Sequence, residues 1–344
     1  MDLLRQTKKL CQLHNIKPSR SKGQSFLINN DVYNNIIKAA DLDKDDIILE
    51  VGPGLGFLTV KLAKIVKKVI AVELDDKLVK VLKGRLEKQG IGNVKVVNED
   101  ILKITPPLTP PLPKSFDGVK IRGGELKGRG YKIVANLPYN ITSVFLRKFL
   151  SAEIKPELMV LMLQKEVAER IIAEPGKMSL LAVSVQFFAE AEIVEIVSAN
   201  NFWPEPKVDS AIIKLTPFPP SLASRKLERS GQPPSRSCCS RDFARDRHGR
   251  EELSKKELNK LKKVPSPTKY EWERDRVRAE KEFFRLVRIG FSSKRKMLKN
   301  NLANGYHISA EQVEQKLKKA NFSLKVRAQE LAVKDWLKLL GEFN

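Results

Sequence analysis

Asn136-Leu137-Pro138-Tyr139 is the stretch of this 344-residue chain whose residue types best match a reaction. An exocyclic amine on a flat base is a poor nucleophile, because its lone pair is delocalised into the ring. Two acceptors set on its hydrogens would favour a pyramidal nitrogen: the Asn136 side-chain oxygen and the Pro138 backbone carbonyl. The lone pair could then attack a sulfonium methyl in line. Proline fixes the backbone that aims this carbonyl and carries no N–H of its own. Tyr139 offers a ring face for stacking the base. No strong general base is needed, since the proton leaves after the nitrogen has become cationic. Asn136, Leu137, Pro138 and Tyr139 are therefore candidate catalytic residues. Taken alone, the tetrapeptide also fits an ordinary strand-end turn.

The methyl donor needs its own site, and a second motif suits one. Glu50-Val51-Gly52-Pro53-Gly54-Leu55-Gly56 follows an apolar run and precedes a helical pattern. Glycines at such a turn let backbone approach a ligand, and the helix N-terminus favours polar groups. The spacing is G-x-G-x-G, not the G-x-G-x-x-G of dinucleotide sites. A plain strand–helix turn and an NAD(P) site are the rival readings. Two acidic residues at later strand ends favour S-adenosylmethionine. Glu73, 21 residues past Gly52, could accept both ribose hydroxyls, and Asp100 could accept from the adenine amine. Singly, each could be a solvated strand-end charge; the three features fall in register. Gly52, Gly54, Gly56, Glu73, Asp100 and its neighbour Ile101 are the candidate cofactor residues from this part of the chain. A third signature, Phe202-Trp203-Pro204-Glu205-Pro206-Lys207-Val208-Asp209-Ser210-Ala211, has two prolines that hold an extended loop. Phe202 could close a base sandwich opposite Tyr139; core packing is the alternative for Phe202 and Trp203.

These residues need a scaffold of strand ends. Apolar runs predict strands over 47–51, 68–73, 94–98, 131–135 and 158–163. Helical spacing predicts helices over 32–40, 57–65, 76–89, 142–151 and 164–173. The alternation argues for an α/β fold, a Rossmann-like parallel sheet with helices on both faces. Ala191–Ser198 and Val208–Leu215 fit a closing antiparallel pair. Residues 105–130, rich in proline and then glycine, read as a surface excursion. Residues 219–282 read as a charged, partly disordered insertion whose end turns helical. From Phe283 the pattern is helical, with Phe283, Phe284, Val287 and Phe291 on one face and Val313, Leu317 and Ala320 on another. The expected organisation is a methyltransferase domain over 1–218, the insertion over 219–282, and a small all-helical domain over 283–344.

Composition narrows the partner. Lys and Arg number 64 against 41 Asp and Glu, a net charge of +23 that suits a polyanion such as nucleic acid or an anionic surface. Residues 283–344 hold 13 Lys and Arg against 5 Asp and Glu, and 219–282 hold 18 against 11, so positive charge is densest beyond residue 218. Ser292-Ser293-Lys294-Arg295-Lys296 reads as a cationic edge on a packed helix pair, its alternative being a solvated charge run. No apolar run of about 18 residues is present, which argues against a transmembrane helix. Met1–Lys17 has no signal-peptide core. Cys11, Cys238 and Cys239 make no disulfide framework, and His14, His248 and His307 form no metal or triad pattern. A reducing, cytoplasmic setting is expected, with nothing that demands more than a monomer.

Together, Gly23-Gln24-Ser25-Phe26-Leu27, Glu50 to Gly56, Glu73-Leu74-Asp75, Asp100, Asn136 to Tyr139, Phe202 to Ala211 and Phe291 to Leu298 resemble the rRNA adenine N6,N6-dimethyltransferase family. More narrowly, they resemble its small-subunit branch, whose loss gives kasugamycin resistance. The likeness runs over about 7–104, 131–218 and 283–340. It implies S-adenosylmethionine contacts at Ser25, Leu27, Gly52, Glu73, Asp100 and Asn136. It also implies dimethylation of two adjacent adenosines in the 3′-terminal hairpin loop of small-subunit rRNA, late in assembly of the immature 30S subunit. The target base would be swung out into an aromatic pocket. The chain departs from the family pattern at Ser25, where Asn is frequent, and at 105–130 and 219–282. Rivals are the large-subunit methylase of macrolide resistance and an assembly factor that binds pre-ribosomal RNA without catalysis.

Overall fold

Strands buried on both faces read as unbroken apolar runs, and the centre of this fold is built from such runs. The computed structural model describes residues 2–18, 24–104, 130–138, 141–152, 154–218 and 269–343. The chain divides into two units, residues 1–173 with 184–218, and residues 174–183 with 219–344. The first unit begins with α1 (Leu3–Leu13), β1 (Phe26–Leu27) and α2 (Asn30–Ala39). The alternating part follows: β2 (Ile47–Val51), α3 (Phe57–Ala63), β3 (Lys68–Glu73), α4 (Asp76–Lys88), β4 (Val94–Asn98), β5 (Tyr131–Asn136), α5 (Thr142–Leu150), β6 (Leu158–Gln164) and α6 (Lys165–Ile171). Then come α7 (Leu180–Phe188), which belongs to this unit only from Ser184 onward, β7 (Ala189–Val197), β8 (Phe202–Trp203) and β9 (Ser210–Pro217).

Seven strands form one sheet in the order β4-β3-β2-β5-β6-β9-β7. The first five are parallel, and β9 runs antiparallel to both β6 and β7. This is the expected Rossmann-like sheet with its closing antiparallel pair. Ile48, Leu49, Ile133, Val134, Met159 and Leu161 are at most 1% exposed, which is why their runs carry no polar alternation. Between β2 and β5 the strand order changes direction, so the loops leaving these two C-terminal ends diverge and open a crevice.

Two features have no counterpart in the sequence expectations. Leu180–Phe188 is apolar except for Ser184 and Gln186 and shows no clear helical or strand period, yet it forms α7. The other is a two-stranded ladder of β1 with β8, pairing Phe26 with Trp203 and Leu27 with Phe202.

The second unit contains α8 (Lys269–Gly290), α9 (Leu298–Tyr306), α10 (Ala310–Lys319) and α11 (Val333–Phe343). Phe283, Val287, Leu302, Val313, Leu317 and Trp336 are fully buried, which realises the second predicted apolar face with Ala320; of the first, Phe284 and Phe291 are half-buried. Gly290 lets α8 approach Trp336 closely, since a Cβ there would lie 2.2 Å from the indole ring. The Asn301 amide holds the α8–α9 turn by donating to the carbonyls of Gly290 (2.6 Å) and Ser293 (3.0 Å). Residues 269–282 are thus helical, and α8 runs unbroken through position 283. The rest of the 219–282 insertion, nearly all of the 105–130 excursion, Gly23, Tyr139, Cys238, Cys239 and His248 lie outside the described residues. Among the described residues, no helix is long and apolar enough to cross a membrane, and no His/Cys/Asp/Glu group could hold a metal ion.

Candidate active site

The crevice at the C-terminal ends of β2, β3, β4 and β5 is a cavity of about 490 Å³. That volume suits a small-molecule ligand. Its floor is the turn after β2. Gly52 (φ +70°), Gly54 (φ +57°) and Gly56 (φ +78°) all take left-handed backbone, which L side chains rarely adopt. At Gly52 the constraint is also steric, because a Cβ there would sit 3.3 Å from the Asn136 carbonyl oxygen. The glycine turn and the Asn-Leu-Pro-Tyr motif, read separately in the sequence, are therefore in close contact.

Glu73 closes one side. Its Oε2 accepts from the Gly54 N–H (3.0 Å) and its Oε1 from the Asp75 N–H (3.0 Å), so the carboxylate braces the glycine turn as well as facing the cavity. Burial pushes its carboxyl above the usual range, and the backbone N–H bonds from Asp75, Gly54 and Leu74 oppose that rise. Asp100 ends the loop after β4, and its Oδ1 accepts from the Leu102 N–H (2.8 Å). Lys148 of α5 donates to the Leu102 carbonyl, tying the same loop to the helix that follows the acceptor motif. The Asn98 amide donates to the carbonyls of Glu73 (3.1 Å) and Leu74 (3.4 Å), which fixes the β4 end against the β3 end.

Asn136 and Pro138 line the cavity opposite these acids. The Pro138 carbonyl accepts from the Ile141 N–H (3.2 Å), which leaves its second lone pair for an incoming amine. Leu137 points away into the core at 2% exposure; its N–H donates to the Met162 carbonyl (3.3 Å), holding the motif on the sheet. Ser25, Leu27, Gly52, Gly54, Glu73, Asp100, Ile101, Asn136 and Pro138 all line one cavity. Gly56 does not. It starts α3, where a Cβ would meet Leu82 Cδ1 at 2.4 Å.

Phe202, expected to close a base sandwich opposite Tyr139, lies outside this cofactor cavity. It is 4% exposed, belongs to the hydrophobic core and does not line the cavity. Its backbone pairs with Leu27, a cavity residue whose carbonyl accepts from the buried Tyr33 hydroxyl (3.0 Å). Among the described residues, the Phe202 strand anchors the Ser25–Leu27 wall. An apolar side chain next to β-propensity residues gives no sign of which of these two roles it takes.

Sequence reasoning also passed over residues the cavity uses. Leu74, between Glu73 and Asp75, lines the cavity while 67% exposed. Its signal was an apolar residue stranded between two acids at a strand end. Glu50, read only as part of the glycine motif, lines the cavity at 1% exposure.

Among the described residues, the lining contains five acidic side chains (Glu50, Glu73, Asp75, Glu99, Asp100) and no Lys or Arg. That is notable in a chain of net charge +23. A dinucleotide pyrophosphate would meet repulsion there. S-adenosylmethionine carries a sulfonium and an ammonium against one carboxylate, and its charge fits.

The family model described as ribosomal RNA adenine dimethylase matches residues 15–229. Ribosomal RNA small subunit methyltransferase A of Dehalococcoides mccartyi (strain CBDB1) is 36% identical over 341 residues, covering 99% of this chain and 94% of that protein. The protein of the same name from Clostridioides difficile (strain 630) is 32% identical over 340 residues, covering 98% and 95%. Among solved structures, a dimethyladenosine transferase from Plasmodium falciparum aligns with a TM-score of 0.61 at 25% identity, covering 92% of this chain and 96% of that one. The 23S rRNA methyltransferase ErmE aligns with a TM-score of 0.56 at 23% identity, covering 92% and 98%, a likeness of fold.

Proposed function

Since this chain belongs to the ribosomal RNA adenine dimethylase family, we propose that it dimethylates N6 of two adjacent adenosines in the 3′-terminal hairpin loop of small-subunit rRNA, acting on the immature 30S subunit. Its activity is that of an S-adenosylmethionine-dependent rRNA adenine dimethyltransferase. The single observation that carries the site assignment is the meeting of Asn136 and Pro138 with a carboxylate-lined, glycine-floored cavity.

Each residue then has a physical task. Gly52 and Gly54 admit the cofactor to the backbone, Glu73 accepts from its ribose, and Asp100 with Ile101 takes its adenine. Leu27 and Ser25 form the wall above. When bound, the cofactor supplies an electrophilic methyl on a cationic sulfur. Asn136 Oδ1 and the free lone pair of the Pro138 carbonyl accept from the two amine hydrogens of the base and turn its lone pair toward that methyl. The nitrogen's proton departs to water after attack. Tyr139, adjoining this pair in the chain, is the proposed stacking surface. The enzyme is proposed to work as a monomer in the cytoplasm, where assembling subunits are met.

The direct test is transfer from labelled S-adenosylmethionine to 30S particles lacking the two dimethyladenosines, with 50S particles as control. Label confined to 30S and recovered as dimethyladenosine is expected. Label on 50S would move the assignment to the large-subunit methylases. Tight 30S binding without label would make the protein an assembly factor.

Residues 283–344 are proposed to dock on rRNA phosphates. Lys294, Arg295 and Lys296 are exposed on the turn held by Asn301, and none of them has an ion pair among the described residues. Replacing all three by Ala is expected to lower the slope of log K against log salt by roughly 2–3, since each neutralised phosphate contributes about 0.7–0.9. Filter binding of small-subunit rRNA across a salt series measures this, and an unchanged slope refutes it.

A further inference from the structure

Glu50 differs from the other carboxylates of the cofactor cavity. Glu73 and Asp100 accept backbone N–H groups, whereas Glu50 Oε2 accepts no hydrogen bond among the described residues, although the residue is 1% exposed and lines the cavity. A buried anion this poorly supplied with donors, with only the Thr59 hydroxyl near it, is unfavourable, so a cavity without ligand favours a proton on this group. The groups that face it act in the same sense or only partly against it. Glu73 on β3 repels its ionised form, and the Thr59 hydroxyl on α3 offsets part of the burial. Tyr33 on α2 interacts electrostatically both with it and with Arg85 on α4. Val134, its partner on β5, is apolar. Burial is the largest influence, and the carboxyl is pushed up to about 8.

The two ligands that must alternate in this cavity differ by one methyl and one charge. S-adenosylmethionine has a net charge of +1 at neutral pH; S-adenosylhomocysteine, its thioether product, is neutral overall. A methyl group is a weak handle for discrimination, and a full charge beside a buried carboxyl is a strong one. We propose that Glu50 is the specificity-determining residue that separates cofactor from spent product, keeping a proton in the empty or product-loaded cavity and releasing it to solvent when the sulfonium form binds. The balance is simple: the Glu50 carboxyl becomes carboxylate plus a solvated proton, and the reverse occurs when the sulfur loses its charge. Below the raised titration point, part of the cofactor's binding energy is spent on ionising Glu50; above it, the anion is already present. Preference for cofactor over product therefore strengthens as pH rises through about 8.

The proposal rests on the cofactor assignment. Its test is calorimetric titration of the full-length protein with S-adenosylmethionine and with S-adenosylhomocysteine near neutral pH, in two buffers of different ionisation enthalpy. The buffer dependence counts protons exchanged. The wild type is expected to release more protons with the cofactor than with the product, and Glu50→Gln is expected to abolish that difference. In Glu50→Gln the preference for cofactor over product should fall roughly tenfold, as for one unit of pKa coupling, and should lose its rise between about pH 7 and 9. The ligand's own ammonium titrates alike in both proteins, so the comparison isolates Glu50. Equal proton release for the two ligands in the wild type overturns the proposal, and that measurement decides the matter even if the variant does not fold. An unchanged preference in a folded Glu50→Gln protein overturns it equally. Binding of neither ligand by the wild type overturns the cofactor assignment itself, and the proposal with it.

Discussion

Asn136→Ala is expected to reduce methyl transfer by roughly a hundredfold to a thousandfold, the loss typical of deleting one oriented polar group at a reacting centre. The side chain lies at the end of β5, where the backbone is already held by the Asn136–Met162 pairing and by the Leu137 N–H to Met162 carbonyl bond. Truncation therefore removes the acceptor without releasing the loop. Thermal unfolding should change little, and subunit binding should persist. The Pro138 carbonyl remains, but with one acceptor the amine keeps a flatter geometry and a misdirected lone pair. Single-turnover transfer from labelled cofactor to 30S particles measures the effect. Full methylation together with lost subunit binding would reassign the motif from reaction site to RNA contact.

Glu73→Gln should weaken cofactor binding by about 2 kcal/mol, a roughly thirtyfold rise in Kd. The substitution looks conservative and is not. Both carboxylate oxygens accept backbone N–H groups, from Gly54 and from Asp75. An amide has only one oxygen, so its NH2 must face one of those donors. Either the glycine turn loses its brace or the start of α4 does, and the acceptor for the ribose is compromised in both cases. Calorimetry with S-adenosylmethionine reads the change. A Kd within about twofold of wild type would mean that Glu73 serves the turn alone.

The parallel strands were legible because each is a short apolar run, most of them buried on both faces though β4 is only half-buried, and the site residues because they sit at or just past the ends of those runs. Glu73 and Asn136 end β3 and β5, and Asp100 lies two residues past the end of β4, a cluster that strand boundaries suffice to locate. Three things were not legible. The β1·β8 ladder joins two-residue strands far apart in sequence, too short to have a period. The role of Phe202 depends on which way one ring turns, and Phe is equally at home in a core or against a base. Glu50 inside a glycine motif reads as decoration until its burial and its missing hydrogen bond are seen. Helix α7 shows the same limit from the other side: Ser184 and Gln186 are too few to mark a polar face by which to recognise it.

The pairing of Leu27 with Phe202 sets a timetable. A ribosome making this chain delivers the first wall of the cofactor cavity early, yet the strand that clamps this wall emerges some 175 residues later. Non-local closure of that kind comes late in folding as well as in synthesis. The nascent sheet can assemble around β2, β3 and β5 while the clamp is still unmade. The methyl donor then has no finished seat to occupy until nearly the whole first unit has left the exit tunnel, so cofactor capture marks the completion of the unit and cannot guide its early folding.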